Sequence, residues 1–80
     1  MKVSIVVTLK KDVLDPQGTT ILKVLKGMNF SNVNEVRQGK YFEIDIEEKN
    51  QKNAEDKATE MCEKLLANLV IEDYKIIKAE

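Results

Sequence analysis

At the start of the chain, hydrophobic positions fall on every second residue. Val3, Ile5, Val7 and Leu9 alternate with Lys2, Ser4, Val6, Thr8 and Lys10, the period of a strand with one buried face, although Val6 gives the opposite face one apolar position. After Lys10-Lys11-Asp12 the pattern changes. Asp15 suits a helix N-cap and Pro16 the first helical position, where its missing N–H has no intrahelical partner to lose. Ile21, Leu22, Leu25 and Met28 then share one helical face, and Gly27 is placed to end the helix in the left-handed conformation.

Two extended segments follow, 32–38 and 40–48, with Gln38-Gly39 between them as a tight hairpin. The second alternates cleanly, with Phe42, Ile44 and Ile46 inward and Tyr41, Glu43, Asp45 and Glu47 outward. In the first, Val33 and Val36 do not keep a common face, which predicts a short, bulged or edge strand. Asn53 is read as the cap of a second helix, whose apolar stripe is Ala58, Met61, Cys62, Leu65, Leu66 and Leu69. A last strand runs from about Asp73 to Lys78. The order β-α-β-β-α-β predicts an α+β, two-layer sandwich of the ferredoxin-like kind: a four-stranded antiparallel sheet with two helices on one face. Such a fold leaves the other sheet face or an edge strand for a second chain.

Composition narrows the function more than the fold. The 80 residues are read as one domain spanning 1–80, with a small core whose stability self-association would raise. Thirteen basic against 14 acidic side chains give a net charge of −1, which offers no field for a polyanion. Aromatic residues make up 5%, too few for a base-stacking sheet, so no nucleic-acid partner is expected. No apolar run reaches membrane-span length and Met1 leads directly into a strand, so a cytoplasmic location without membrane contact is expected. Histidine is absent and Cys62 is the only cysteine. That excludes imidazole acid–base chemistry, an internal disulfide and the ordinary structural zinc sites.

Four groups of residues carry candidate chemistry. Glu43, Asp45 and Glu47 share a strand face and offer oxygen ligands, but a solvated face explains them better than a metal site does. Cys62 sits within an apolar helical stripe, where a thiol is inert. Arg37 and Lys40 flank the expected hairpin turn, where cations can grip a phosphate or a partner's carboxylate. Asp15-Pro16-Gln17-Gly18 is more than a helix start needs. Gly18 at an early helical position costs about 1 kcal/mol against alanine, which points to a close approach to the backbone there.

Three stretches in order carry a family resemblance: Val13 to Gly18, Val36 to Lys40, and Leu65 to Tyr74. Over its whole length the chain resembles the PurS family, the small subunits of phosphoribosylformylglycinamidine synthase in de novo purine synthesis. One departure is Leu69, where the family usually has proline after the asparagine to stiffen the turn. The resemblance implies a subunit with no active site or cofactor of its own, forming dimers or higher oligomers. It would bridge a glutaminase subunit to a synthetase subunit, in a complex that uses ATP, magnesium and glutamine. The candidate partner contacts are Asp15, Pro16, Gln17, Gly18, Arg37 and Lys40. The alternative is a small-molecule-sensing regulatory domain of the same architecture, binding an amino acid between two copies.

Overall fold

In a computed structural model, which describes residues 1–80, the alternating segment forms β1 (Lys2–Leu9). Its odd-numbered side chains Val3, Ile5 and Val7 are shut off from solvent because β1 is the central strand of the sheet and a helix packs over that face. These are β2 (Gly39–Asp45) and β3 (Glu72–Ala79), both antiparallel to β1 in a three-stranded sheet of order β2-β1-β3. A register shift in the β1–β3 ladder at Ser4/Ile5 accommodates one extra residue of β3.

The first helix, α1 (Pro16–Gly27), begins at the Asp15 cap as expected. The left-handed residue after it is Asn29, with φ of 74°, rather than Gly27. The second helix, α2 (Gln51–Met61), is capped by Asn50 in place of Asn53. The Asn50 side chain accepts hydrogen bonds from the backbone of Lys52 and Asn53. A π-helical turn over Cys62–Leu66 closes α2, with the Ala67 N–H reaching the Cys62 carbonyl at 3.0 Å. The wider turn adds a residue and rotates the stripe. Cys62 and Ala67 stay in the core, whereas Leu65, expected inside, is 83% exposed.

The core lies between the odd face of β1 and α2. It consists of Val3, Ile5 and Val7 against Ala54, Ala58 and Cys62, closed by Ile46 and Ala67. The alanines let α2 approach the sheet closely. Leu69 does not leave the following turn loose, because Asn68 organises it. The Asn68 carbonyl accepts from Ile71 and Glu72 at 3.0 and 2.7 Å, and its side chain from Val70 at 3.1 Å.

Two features of the expected sandwich are corrected. The sheet has three strands, not four, because the chain does not reverse at Gln38-Gly39 and so never pairs 32–38 with the outer edge of β2; Thr8 pairs with Gly39, and the chain before Gly39 lies beyond the β1–β2 ladder. Residues 32–38 are therefore not a strand of this sheet, and no hairpin folds at Gln38-Gly39; the segment runs straight on into β2. Gly39 serves a different need, since a Cβ there would sit 2.5 Å from the Val7 carbonyl oxygen across the ladder.

Only α2 covers the sheet. No residue of α1 joins the core, and α1 makes at most marginal contact with the strands and α2. Instead α1 and the return segment 28–38 project as an arm. The molecule measures 48 × 25 × 14 Å, with a radius of gyration of 15.8 Å. A compact chain of this length has about 12 Å.

Core truncation should be felt strongly in so small a body. Ile5→Ala is expected to lower unfolding stability by about 2–5 kcal/mol, read as a fall in the urea midpoint at unchanged slope.

Candidate functional site

Five of the six residues singled out as partner contacts meet where the arm leaves the sheet, and the sixth, Lys40, stands beside them on β2. Asp15 is the centre of this joint. One carboxylate oxygen accepts the Gly18 N–H at 3.0 Å, as an N-cap does. The other accepts the Gln38 N–H at 2.7 Å, from a residue 23 positions along the chain. A single buried side chain thus holds the start of α1 to the end of the return segment.

The close approach expected at Gly18 is real, and the approaching group belongs to the same chain. A Cβ at this position would lie 2.2 Å from the Val36 carbonyl oxygen. Only glycine lets the return segment pass so near the helix. Arg37 is not a free cation at a hairpin tip. Its guanidinium turns back and donates to the carbonyls of Leu9 and Lys10 at 3.1 and 2.8 Å, closing the bend after β1. Gln38 also donates from its side-chain amide to Gln17.

Lys40 keeps its ammonium largely in solvent, 3.6 Å from the Glu72 carboxylate. Glu72 in turn accepts the Asn68 N–H at 2.7 Å, so β2 is linked to the turn after α2. Between these groups opens a shallow cleft of about 320 Å³, with Pro16, Gln17 and Lys40 on its rim and Val7 and Leu9 in its wall. The six candidates therefore divide by position. Asp15 and Gly18 are buried in the joint and Arg37, at the surface, turns its guanidinium onto the chain's own carbonyls, while Pro16, Gln17 and Lys40 face solvent.

Sequence reasoning missed Gln38, Val36 and Glu72 as parts of this joint. Each acts through a contact distant in sequence, and the one local sign was the unexplained cost of Gly18. Leu14, Leu65 and Val70 were also not foreseen as a surface. They are 76%, 83% and 83% exposed.

The electrostatics are those of a structural knot. The Gln38 and Gly18 N–H groups, with the Arg37 guanidinium nearby, hold the Asp15 carboxyl below its ordinary range. Burial pushes the Cys62 thiol up, away from the thiolate a nucleophile needs. Glu43 lies 3.8 Å from Lys2, and Asp45 3.6 Å from the terminal ammonium. No three of the acidic or cysteine side chains gather as metal ligands would.

Comparison with known proteins adds five findings. The family model described as PurS, phosphoribosylformylglycinamidine (FGAM) synthase, matches residues 2–80. A phosphoribosylformylglycinamidine synthase subunit PurS from Bacillus subtilis is 50% identical over 74 residues, covering 92% of this chain and 87% of that one. The corresponding subunit of Methanocaldococcus jannaschii is 44% identical, covering 94% and 90%. Among solved structures, B. subtilis PurS superposes with a TM-score of 0.84 at 48% identity, over 99% of this chain and 98% of that one. A chain of the PurLQS structure from Thermotoga maritima superposes with a TM-score of 0.85 at 30% identity, over 99% of both chains.

The joint predicts a pH signature. A carboxyl whose pKa is lowered by folding stabilises the protein above the ordinary carboxylate range and loses that contribution as pH falls through its depressed pKa. Asp15→Asn is therefore expected to be less stable than wild type at pH 7. The gap should close on acidification, as followed by urea unfolding across the acid range.

Proposed function

The chain belongs to the PurS family of phosphoribosylformylglycinamidine synthase subunits, and we propose that within that enzyme it is a non-catalytic assembly subunit. In this reading it associates with further copies of itself and bridges the glutaminase and synthetase subunits. The T. maritima relative that shares its fold is part of a complex described as PurLQS, which supports a role in assembly. Its relatives are synthase subunits and give the amino-acid-sensing alternative no support.

The observation that carries the reading is the arm. α1 leaves Ile21, Val24 and Met28 at 38%, 57% and 60% exposure, outside any core of its own chain. The accessible surface is 6024 Å². A folded monomer of this mass exposes about 4,900 Å². A helix with one apolar face and nothing to bury it against is made for another protein surface.

The chemistry of the complex explains why a bridge is useful. Ammonia released from glutamine is mostly protonated in water at neutral pH, and ammonium is no nucleophile. The two reaction centres must therefore be coupled without bulk water between them. ATP, magnesium and glutamine are used by the larger subunits, and this chain supplies position. It has no histidine to act as a base, its thiol is buried, and its one buried carboxylate is spent on its own backbone. No helix is long and apolar enough to cross a membrane, which accords with a cytoplasmic enzyme.

Asp15, Gly18 and Arg37 set the angle of the arm in this scheme, and Pro16, Gln17 and Lys40 touch a partner. Mixing purified chain with its cognate glutaminase and synthetase subunits should raise glutamine-dependent amidine formation well above the rate without it. Equal rates would defeat the proposal. The double substitution Gln17→Ala, Lys40→Ala is expected to weaken complex formation on gel filtration while leaving the melting temperature nearly unchanged, since both side chains are exposed.

A further inference from the structure

The turn that leads into β3 is tightly held, yet what it displays is apolar. Four hydrogen bonds lie within Asn68–Glu72: the Asn68 carbonyl accepts from Ile71 and Glu72, the Asn68 side chain from Val70, and the Glu72 carboxylate from the Asn68 N–H. Leu69, Val70 and Ile71 are 46%, 83% and 39% exposed, and none of them joins the core. Turns favour glycine, proline and short polar side chains. Neither the local fold nor solubility accounts for three aliphatic residues in a row.

The turn also has a charged neighbour. The Ile71 carbonyl accepts the Lys10 N–H at 2.9 Å at the end of β1, and Glu72 reaches Lys40 at 3.6 Å. The apolar tip therefore lies at the same end of the sheet as the cleft rimmed by Pro16, Gln17 and Lys40, which Glu72 also lines. The Lys40 ammonium has that one long ion pair and keeps donors for another carboxylate.

We propose that Leu69-Val70-Ile71 is a preformed tip that docks, with Lys40 beside it, into an apolar hollow edged by a carboxylate on the synthetase subunit. This rests on the reading of the chain as an assembly subunit and names a contact face for it. A bridge needs a face for each neighbour, and the apolar side of α1 is a separate element. Chemistry selects the synthetase. Glutamine hydrolysis consumes water, so the glutaminase must admit it. The synthetase must exclude it, because water competes with ammonia for the activated amide, and an aliphatic tip excludes water. Glu72 is the positioning residue, tying the tip to β2 so that apolar side chains and ammonium are presented in one arrangement. Order before binding lowers the entropy cost of docking, and the β-branched side chains of Val70 and Ile71 are stiff.

Calorimetric titration of the purified synthetase subunit with the chain tests this. Val70→Asp should keep the native circular dichroism and weaken binding by about tenfold or more, because a carboxylate is forced into an apolar site. Glu72→Ala should weaken it about threefold, and Glu72→Gln, which can still accept the Asn68 N–H, should restore it. Lys49→Asp, exposed at the opposite end of the sheet, should bind as wild type. The thiol introduced by Val70→Cys should react readily with an alkylating agent in the free chain and be shielded once the synthetase is added. Cys62 is buried and does not interfere.

If natively folded Val70→Asp binds as tightly as wild type, or if the thiol introduced by Val70→Cys stays reactive in the complex, the docking tip is overturned and the assembly reading still stands. Should Val70→Asp misfold, the shielding result decides. Shielding by the glutaminase alone, or in the chain by itself at high concentration, also overturns the proposal, because the tip then belongs to that subunit or to a second copy. A wild-type chain that binds neither larger subunit overturns both readings.

Discussion

The Asp15 carboxylate accepts one N–H from the helix it caps and one from Gln38, and the protruding shape of the molecule depends on that pair of bonds. Without them the arm would be joined to the sheet by two flexible connections. With them, and with Arg37 closing the bend after β1, α1 is held at a fixed angle away from the core. The bonds are charge-assisted and buried, the combination in which a hydrogen bond orients most strongly.

This constraint separates two tasks within 80 residues. The body, built from β1, β2, β3 and α2, buries Val3, Ile5, Val7 and Cys62 and supplies the stability. The arm contributes nothing to that core and leaves Ile21, Val24 and Met28 exposed. A small chain that keeps a 12-residue helix out of its core has little reserve. Burial of the helix by other chains then adds to stability as well as to assembly.

Most local structure was legible in the sequence. Strict alternation placed β1, the Asp15-Pro16 pair placed the start of α1, and clean alternation from Lys40 onward placed β2. The errors share a cause. Residues 32–38 precede β2 without a strand partner, because their place in a sheet depended on a chain reversal at Gln38-Gly39 that the Asp15–Gln38 bond and the close pass at Gly18 replace, contacts no local pattern records. Leu65 faces out because a π-helical turn shifts the stripe by one residue, and apolar spacing assumes an undisturbed 3.6-residue period. Gly18 announced a close approach without saying by what.

The sequence by itself determined the element types, the odd face of β1 as core, the absence of histidine chemistry and, through three matching stretches, the family. These depend on nearest-neighbour sterics, side-chain periodicity and composition, all of which are written in order along the chain. Only the tertiary structure decided that α1 stands clear of the sheet, that Arg37 binds its own backbone, and that Asp15 reaches Gln38. Each of those depends on the path of the backbone between residues far apart in sequence, where hydrogen-bonding groups compete for partners that local pattern cannot locate.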